Sequence, residues 1–212
     1  MQIVIPLYDR FTALDAVGPY EVLSRLPGAD VRLAAVTPGP VSTDTGTLTI
    51  EVGHALADLD APDVLVVPGG PGTRSMLADV PLVDWLRQVH PTTTWTTSVC
   101  TGSLLLAAAG ILDGVEATTH WLAMDLLASL GAKPCERRVV IEGKIITAAG
   151  VSSGIDMALT LAARIAGDDV AKAIQLLIEY DPQPPFDAGS VAKAPAEIVD
   201  LVRNLAASQL SK

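Results

Sequence analysis

The stretch Thr93-Thr94-Trp95-Thr96-Thr97-Ser98-Val99-Cys100-Thr101-Gly102-Ser103-Leu104-Leu105-Leu106 decides the fold. Its first half is rich in β-branched residues, carries no charge and follows Pro91, which predicts a buried strand ending at Val99. A helix starts at once behind it, with Gly102 where the backbone must come close to a neighbour. Cys100 therefore occupies a sharp strand-to-helix turn, comparable in geometry to the nucleophile elbow of hydrolases. Its thiol is expected at the carboxyl edge of the sheet, where open α/β folds bind ligands. Helix amides at that point would lower the thiol pKa and favour the thiolate. The competing reading is a small buried hydrophobe, the common fate of a free cysteine. The elbow position favours the nucleophile. Cys135, in a polar approach to a hairpin, has no such setting and reads as structural or incidental.

Outward from this segment, apolar runs at 2–7, 31–36, 64–67 and 94–99 alternate with helical patterns, the signature of parallel βαβ units. The first helix follows Thr12 as N-cap and carries Leu14, Val17, Glu21, Val22 and Leu26 at helical spacing. Another starts at Asp79 or Val80, with Pro81 near its first position and Leu82, Trp85, Leu86 and Val89 on one face. Hairpin signals at 47–52 after Gly46, and at 138–141 with 144–147 around Glu142-Gly143, predict antiparallel additions to a parallel sheet. Later helices are expected over about 153–166, 168–180 and 195–209. The Pro-rich tract 181–189 leads to a single helix, too little for a second domain, so 1–212 reads as one domain with a C-terminal extension over 180–212.

Composition narrows the function. The 212 residues carry 14 basic and 24 acidic side chains, a net charge of −10, with half of the residues apolar and 18% charged. So acidic a chain offers no basic footprint for nucleic acid and no cationic cluster for a membrane surface, and neither partner is expected. Two cysteines outside any CxxC pair build no disulfide framework, which suits a reducing compartment. The opening 1–7 reads as a strand and not as a signal peptide, so a cytoplasmic protein is expected. Neither a GxxxxGK[ST] loop nor an HExxH pair occurs, and His54, His90 and His120 lack metal-ligand spacing, so no metal is expected. Gly69-Gly70-Pro71-Gly72 follows a strand, but it lacks the GxGxxG order and its proline removes a backbone donor.

A thiolate that turns over a substrate needs a proton donor or acceptor beside it. Asp15 is the unusual carboxylate, set between Leu14 and Ala16-Val17 early in the first helix. It is either a helix-end charge interacting with the dipole or a group buried near Cys100, where desolvation raises its pKa toward neutrality. Position alone leaves the two readings open.

The segments 14–19 (LDAVGP), 67–70 (VPGG), 98–102 (SVCTG), 117–121 (ATTHW) and 147–156 (TAAGVSSGID) together resemble the DJ-1/PfpI superfamily, closest to its isonitrile hydratase branch. That branch is suggested by Cys100-Thr101 and by the late tract 180–189. The resemblance implies a flavodoxin-like three-layer sandwich with a mostly parallel sheet, working without metal or organic cofactor. It further implies hydration of an organic isonitrile to an N-substituted formamide. Cys100 would be the nucleophile, Asp15 the general acid and base, and the Thr101 hydroxyl the holder of water or of the reacting group. The Gly70 and Thr101 amides would stabilise developing negative charge. Gly150 and Val151 would close the pocket, and His120 is a second-choice participant whose plainer role is structural, beside Trp121. The protease-like members carry histidine where Thr101 stands, which argues against a peptidase. The Thr-Thr-His-Trp segment is also similar to that of AraC-type regulators, but 212 residues leave no room for their helix-turn-helix module. A homodimer is implied as well, with the tract bearing Tyr180 and Phe186 as its expected contact. The rival expectations are a glyoxalase- or deglycase-like enzyme using the same thiol, and a non-catalytic cysteine redox sensor.

Overall fold

The computed structural model describes residues 1–210, which fall into two compact units, one of Met1–Ile178 and one of the described residues from Glu179 onward. The first unit opens with β1 (Gln2–Pro6), α1 (Ala13–Leu23), β2 (Asp30–Ala35), β3 (Gly39–Ser42), β4 (Thr49–Val52), β5 (His54–Ala55) and β6 (Val64–Val67). It continues through α2 (Thr73–Met76), α3 (Val80–Val89), β7 (Trp95–Val99), α4 (Gly102–Ala108), β8 (Glu116–Ala117), α5 (Met124–Ser129) and β9 (Lys133–Pro134). A hairpin of β10 (Val139–Glu142) and β11 (Ile145–Ala148) precedes α6 (Ser153–Ala166) and α7 (Asp168–Leu177).

Seven strands form the central sheet in the order β10-β11-β7-β6-β1-β2-β5. Every pairing in it is parallel except β10 with β11. The strands Val64–Val67 and Ile145–Ala148 are buried along their whole length, as expected of strands covered on both faces. The chain moves from β1 to β2 in one direction across the sheet and from β6 through β7 to β11 in the other. Right-handed crossovers then place α1 on one face and α3 and α4 on the opposite face, giving three layers. The reversal of direction lies between β1 and β6, and open α/β sheets bind ligands beyond the carboxyl ends of the strands at such a point. This is the flavodoxin-like arrangement expected from the sequence. Asp79 caps α3 by accepting from the Leu82 amide at 3.0 Å, and Leu82, Trp85, Leu86 and Val89 are buried as one face.

Helix α1 differs from its sequence reading. Leu14 and Val17 face outward, each 40% exposed, and the buried set is Asp15, Ala16, Gly18, Pro19, Val22 and Leu23. The physical reason is close packing against α6: a Cβ on Gly18 would stand 3.2 Å from Ile155 Cγ1. Small residues let the helix axes approach, and the larger apolar residues are turned out. Asp15 is carried inward by that rotation. Thr12 stands at the N-cap, yet its hydroxyl makes no capping bond and donates instead to Asp44 Oδ2 at 2.7 Å. The 47–52 hairpin signal resolves as β4 pairing antiparallel with β3, with Gly46 at φ 72° in the turn between them. The helix expected over 168–180 ends at Leu177.

In the second unit the Pro-rich tract has no regular secondary structure, and the chain then forms α8 (Ala196–Leu210), on which Ile198, Leu201 and Leu205 are exposed. Among the described residues no helix is long and apolar enough to cross a membrane.

Candidate active site

Cys100 follows β7 directly, and its backbone lies in the left-handed region at φ 56°. That conformation costs an ordinary L-residue roughly 1 kcal/mol or more and persists only where the surroundings enforce it. Here the Cys100 N–H donates to Ala148 O and Ala149 O at 3.1 and 3.0 Å. Its carbonyl accepts from the hydroxyls of Ser103, at 3.2 Å, and Thr119, at 3.0 Å. Gly102 makes the turn feasible, since a Cβ there would lie 2.1 Å from Val67 O. The thiol, on a residue only 5% exposed, receives the backbone amides of Thr101 and of Val151, itself at φ 27°.

Asp15 is fully buried. Its Oδ2 accepts the Gly69 amide at 3.0 Å, and Oδ1 has no hydrogen-bond partner. Burial pushes its carboxyl up to about 7, opposed by the Gly69 amide and by interaction with the Cys100 thiol, and reinforced by the charge of Asp44. The burial reading of Asp15 is the one the structure bears out. The thiol pKa is likewise raised, first by burial and then by the Asp15 charge, with the Val151 and Thr101 amides pulling the other way. The expectation of a standing thiolate is therefore corrected. Amides do reach the sulfur, but burial and a carboxylate neighbour outweigh them. Thiol and carboxyl form a coupled pair that keeps a proton to exchange near neutrality.

Thr101 lies next to this pair and is held from the opposite loop. Its Oγ1 accepts the Gly70 amide at 2.9 Å and bonds Thr73 Oγ1 at 2.8 Å. Adjacent amides of one peptide segment thus hold Asp15 and Thr101. Gly69 and Gly70 are required there, because a Cβ on Gly69 would meet Thr101 N at 2.4 Å, and one on Gly70 would meet Thr12 N at 2.5 Å. Since the Gly70 amide is already given to Thr101, it is not free to serve as an oxyanion donor. The amides turned to the Cys100 sulfur are those of Thr101 and Val151.

Gly150 lies against His120: a Cβ there would stand 2.7 Å from His120 Cδ2. His120 Nδ1 accepts the Leu122 amide at 3.3 Å at the start of a helical turn, and burial lowers the ring's pKa. Its ring centroid is 5.9 Å from that of Trp121. These contacts describe a histidine that shapes the wall behind Gly150. Sequence reasoning missed Tyr8, Thr73 and Asp44. Tyr8 and Thr73 are buried polar residues whose hydroxyls bond each other at 2.8 Å, and Asp44 reaches the site through Thr12. Among the described residues no cluster of three or more His, Cys, Asp or Glu could hold a metal ion.

The family model described as the DJ-1/PfpI family matches residues 1–164. The chain belongs to the DJ-1/PfpI family. Within that family it is similar to the isonitrile hydratase of Pseudomonas putida, 44% identical over 210 residues, covering 99% of this chain and 92% of that enzyme. A crystal structure of a ThiJ/PfpI family protein from Pseudomonas syringae superposes with a TM-score of 0.94 at 38% identity, covering 98% of this chain and 86% of that one. The transcriptional regulator CdhR of Pseudomonas aeruginosa is 31% identical over 80% of this chain, but the match spans only 51% of that regulator.

Proposed function

We propose that this DJ-1/PfpI protein is an isonitrile hydratase, converting R–N≡C and water to R–NH–CHO through a covalent bond to Cys100. The observation that carries the reading is the Asp15–Cys100 pair, a buried carboxyl raised to about 7 against a thiol that keeps its proton. An isonitrile carbon must gain both a nucleophile and a proton, and this pair holds both. Similarity to a named isonitrile hydratase along almost the whole chain supports the same reading.

In the first step Asp15 takes the thiol proton while sulfur adds to the terminal carbon, and the proton returns to that carbon, giving the thioimidate R–N=CH–S–Cys100. The Thr101 and Val151 amides carry the charge that develops on sulfur. Water then adds its oxygen to the same carbon, with Asp15 moving a proton from water to nitrogen. Collapse of R–NH–CH(OH)–S–Cys100 breaks the C–S bond, forms the formyl C=O and returns the hydroxyl proton through Asp15 to sulfur. Atoms balance without a cofactor, and Asp15 ends as it began.

The protein is further proposed to be a cytoplasmic homodimer. Phe186, 78% exposed in the late tract, and Leu14, Val17 and Tyr20, each about two-fifths exposed on α1, are apolar surfaces that association would cover. Light scattering that gives a mass near the 22.0 kDa of one chain at micromolar concentration would refute it.

The function is tested by following isonitrile loss and formamide appearance for one aliphatic and one aromatic isonitrile. Formamide formation that vanishes in Cys100→Ala supports the reading. Lactate from methylglyoxal without formamide would replace it with a glyoxalase-like activity. Neither product, together with reversible oxidation of Cys100, would leave a redox sensor.

A further inference from the structure

The buried hydroxyls behind Thr101 have a proton order that can be deduced by counting hydrogens. Tyr8 OH is bonded to Pro68 O at 2.8 Å, and a carbonyl only accepts, so the single Tyr8 proton is spent there. Tyr8 is also bonded to Thr73 Oγ1 at 2.8 Å, and in that bond Thr73 must be the donor. Thr73 has one hydroxyl proton and has given it to Tyr8. In its 2.8 Å bond with Thr101, therefore, Thr101 donates. The Gly70 carbonyl, 3.2 Å from Thr101 Oγ1, is a longer alternative that this order leaves unused. Thr101 Oγ1 also accepts the Gly70 amide at 2.9 Å, so what remains is one lone pair.

We propose that Tyr8 and Thr73 are positioning residues whose one-way hydroxyl chain fixes Thr101 as an acceptor toward the attacking water. The inference rests on the isonitrile hydratase reading for the identity of the reaction. Its consequence is geometric. Asp15 Oδ1 has no hydrogen-bond partner within the fold, and a water placed between the two residues, giving one hydrogen to Asp15 and the other to Thr101, would keep its lone pairs free for the thioimidate carbon. A Thr101 rotor free to donate would bind a lone pair of the same water and blunt it. The chain ends at the Pro68 carbonyl, which has no proton to pass on, so it orients and does not conduct. Both relay residues are deeply buried, Tyr8 at 6% and Thr73 at 0% exposure, and burial raises the Tyr8 phenol further, so the phenol stays a donor at any working pH.

The test combines kinetics with a readout that needs no turnover. Thr73→Val should lower kcat roughly five- to tenfold, the scale of one neutral hydrogen bond, with KM within about twofold, and Thr73→Ser should restore it. In the Thr101→Val background Thr73→Val should cost nothing more, because the relay acts only through the Thr101 hydroxyl. Additive losses would overturn the proposal, as would a Thr73→Val enzyme at wild-type kcat. Independently, nuclear magnetic resonance of threonine-labelled wild-type protein should show a slowly exchanging Thr101 hydroxyl proton, lost in Thr73→Val. Should Thr73→Val not fold, Tyr8→Phe, which removes the acceptor that sets the order, must speed Thr101 hydroxyl exchange and lower kcat. A Thr101 hydroxyl that exchanges in wild-type protein as fast as an exposed one would sink the relay, whatever the turnover. A wild-type protein that makes no formamide would sink the proposed function, leaving the hydroxyl readout to judge the proton order.

Discussion

Cys100 and Cys135 are the same chemical group in opposite settings. Cys135 is half-buried in the connection between β9 and β10, where the Arg137 guanidinium donates to its sulfur at 3.1 Å and also pairs with Glu116. Cys100 is almost wholly buried beside a carboxyl, an environment that raises the thiol pKa. A search for a cysteine next to a cation would choose Cys135. Cys135 has a guanidinium at its sulfur, whereas Cys100 has the Asp15 carboxyl and the Thr101 and Val151 amides at its own. On the proposed mechanism, the contrast teaches that Cys100 becomes a nucleophile through a proton acceptor within reach. The largest effects should follow from breaking that contrast directly. Cys100→Ala and Cys100→Ser should lose essentially all formamide production, about a thousandfold or more, while staying folded. Cys135→Ala should keep the wild-type rate within about twofold, and a large loss there would void the comparison.

Asp15→Asn tests the acceptor itself. Turnover should fall by roughly a hundredfold or more. Stability should move the other way. A carboxyl at about 7 in the fold, against 3.8 for an ordinary aspartate, binds its proton more tightly in the native state. That contribution is complete below the unfolded pKa and is lost as pH rises from about 4 through about 7, on the order of 4 kcal/mol in all. Asparagine does not ionise, so the variant should melt at about the same temperature as wild type near pH 4 and several degrees higher at pH 8. Its Cys100 thiol should also titrate lower, because a negative neighbour is gone. A variant less stable than wild type at pH 8, or with an unchanged thiol titration, would show that Asp15 is not the charged partner of Cys100.

The contrast between the cysteines was half legible in the sequence. The strands could be read because strands buried on both faces carry no charge and favour β-branched residues: Val64–Val67 is a continuous apolar run, and Trp95–Val99, though Thr and Ser fill its middle, is uncharged and buried from Thr96 on. The elbow could be read because Gly102 marks close backbone approach. The inward face of α1 could not. It is built from Ala16, Gly18 and Pro19, which bury little area each, and the larger Leu14 and Val17 mislead a reading weighted by hydrophobicity. The raised thiol was hidden for a similar reason, since helix amides are visible as a pattern while the cost of burial depends on the whole fold. The hydroxyl chain from Tyr8 to Thr73 joins residues 65 positions apart and leaves no local signal.

Activity should depend on pH through the same pair. Asp15 must be ionised to take the thiol proton, so kcat/KM should climb about tenfold per unit below a midpoint near 7 and level off above it. A profile that instead falls as pH rises through 7 would mean that a protonated Asp15 starts the reaction and would reverse the first step.

The smallest expected effect separates the charge of Asp44 from its hold on the helix. Asp44 Oδ2 accepts from the Thr12 hydroxyl at 2.7 Å, Thr12 O accepts the Asp15 amide at 3.0 Å, and the Thr12 amide donates to Gly69 O at 2.8 Å. The Asp44 loop is thereby tied to the turn that presents Asp15 and to the glycine whose amide holds it. Its negative charge raises the Asp15 carboxyl further. Asp44→Asn keeps an acceptor for Thr12 and removes the charge, so the clasp survives while the carboxyl pKa drops. The activity midpoint should move below that of wild type by a few tenths of a pH unit, less at high salt, with the plateau rate kept within about twofold. Asp44→Ala loses both functions, and its plateau rate should fall as Asp15 is less well aimed. If the midpoint of Asp44→Asn stays where it was or moves upward, Asp44 acts only as a clasp, and burial alone sets the ionisation of Asp15.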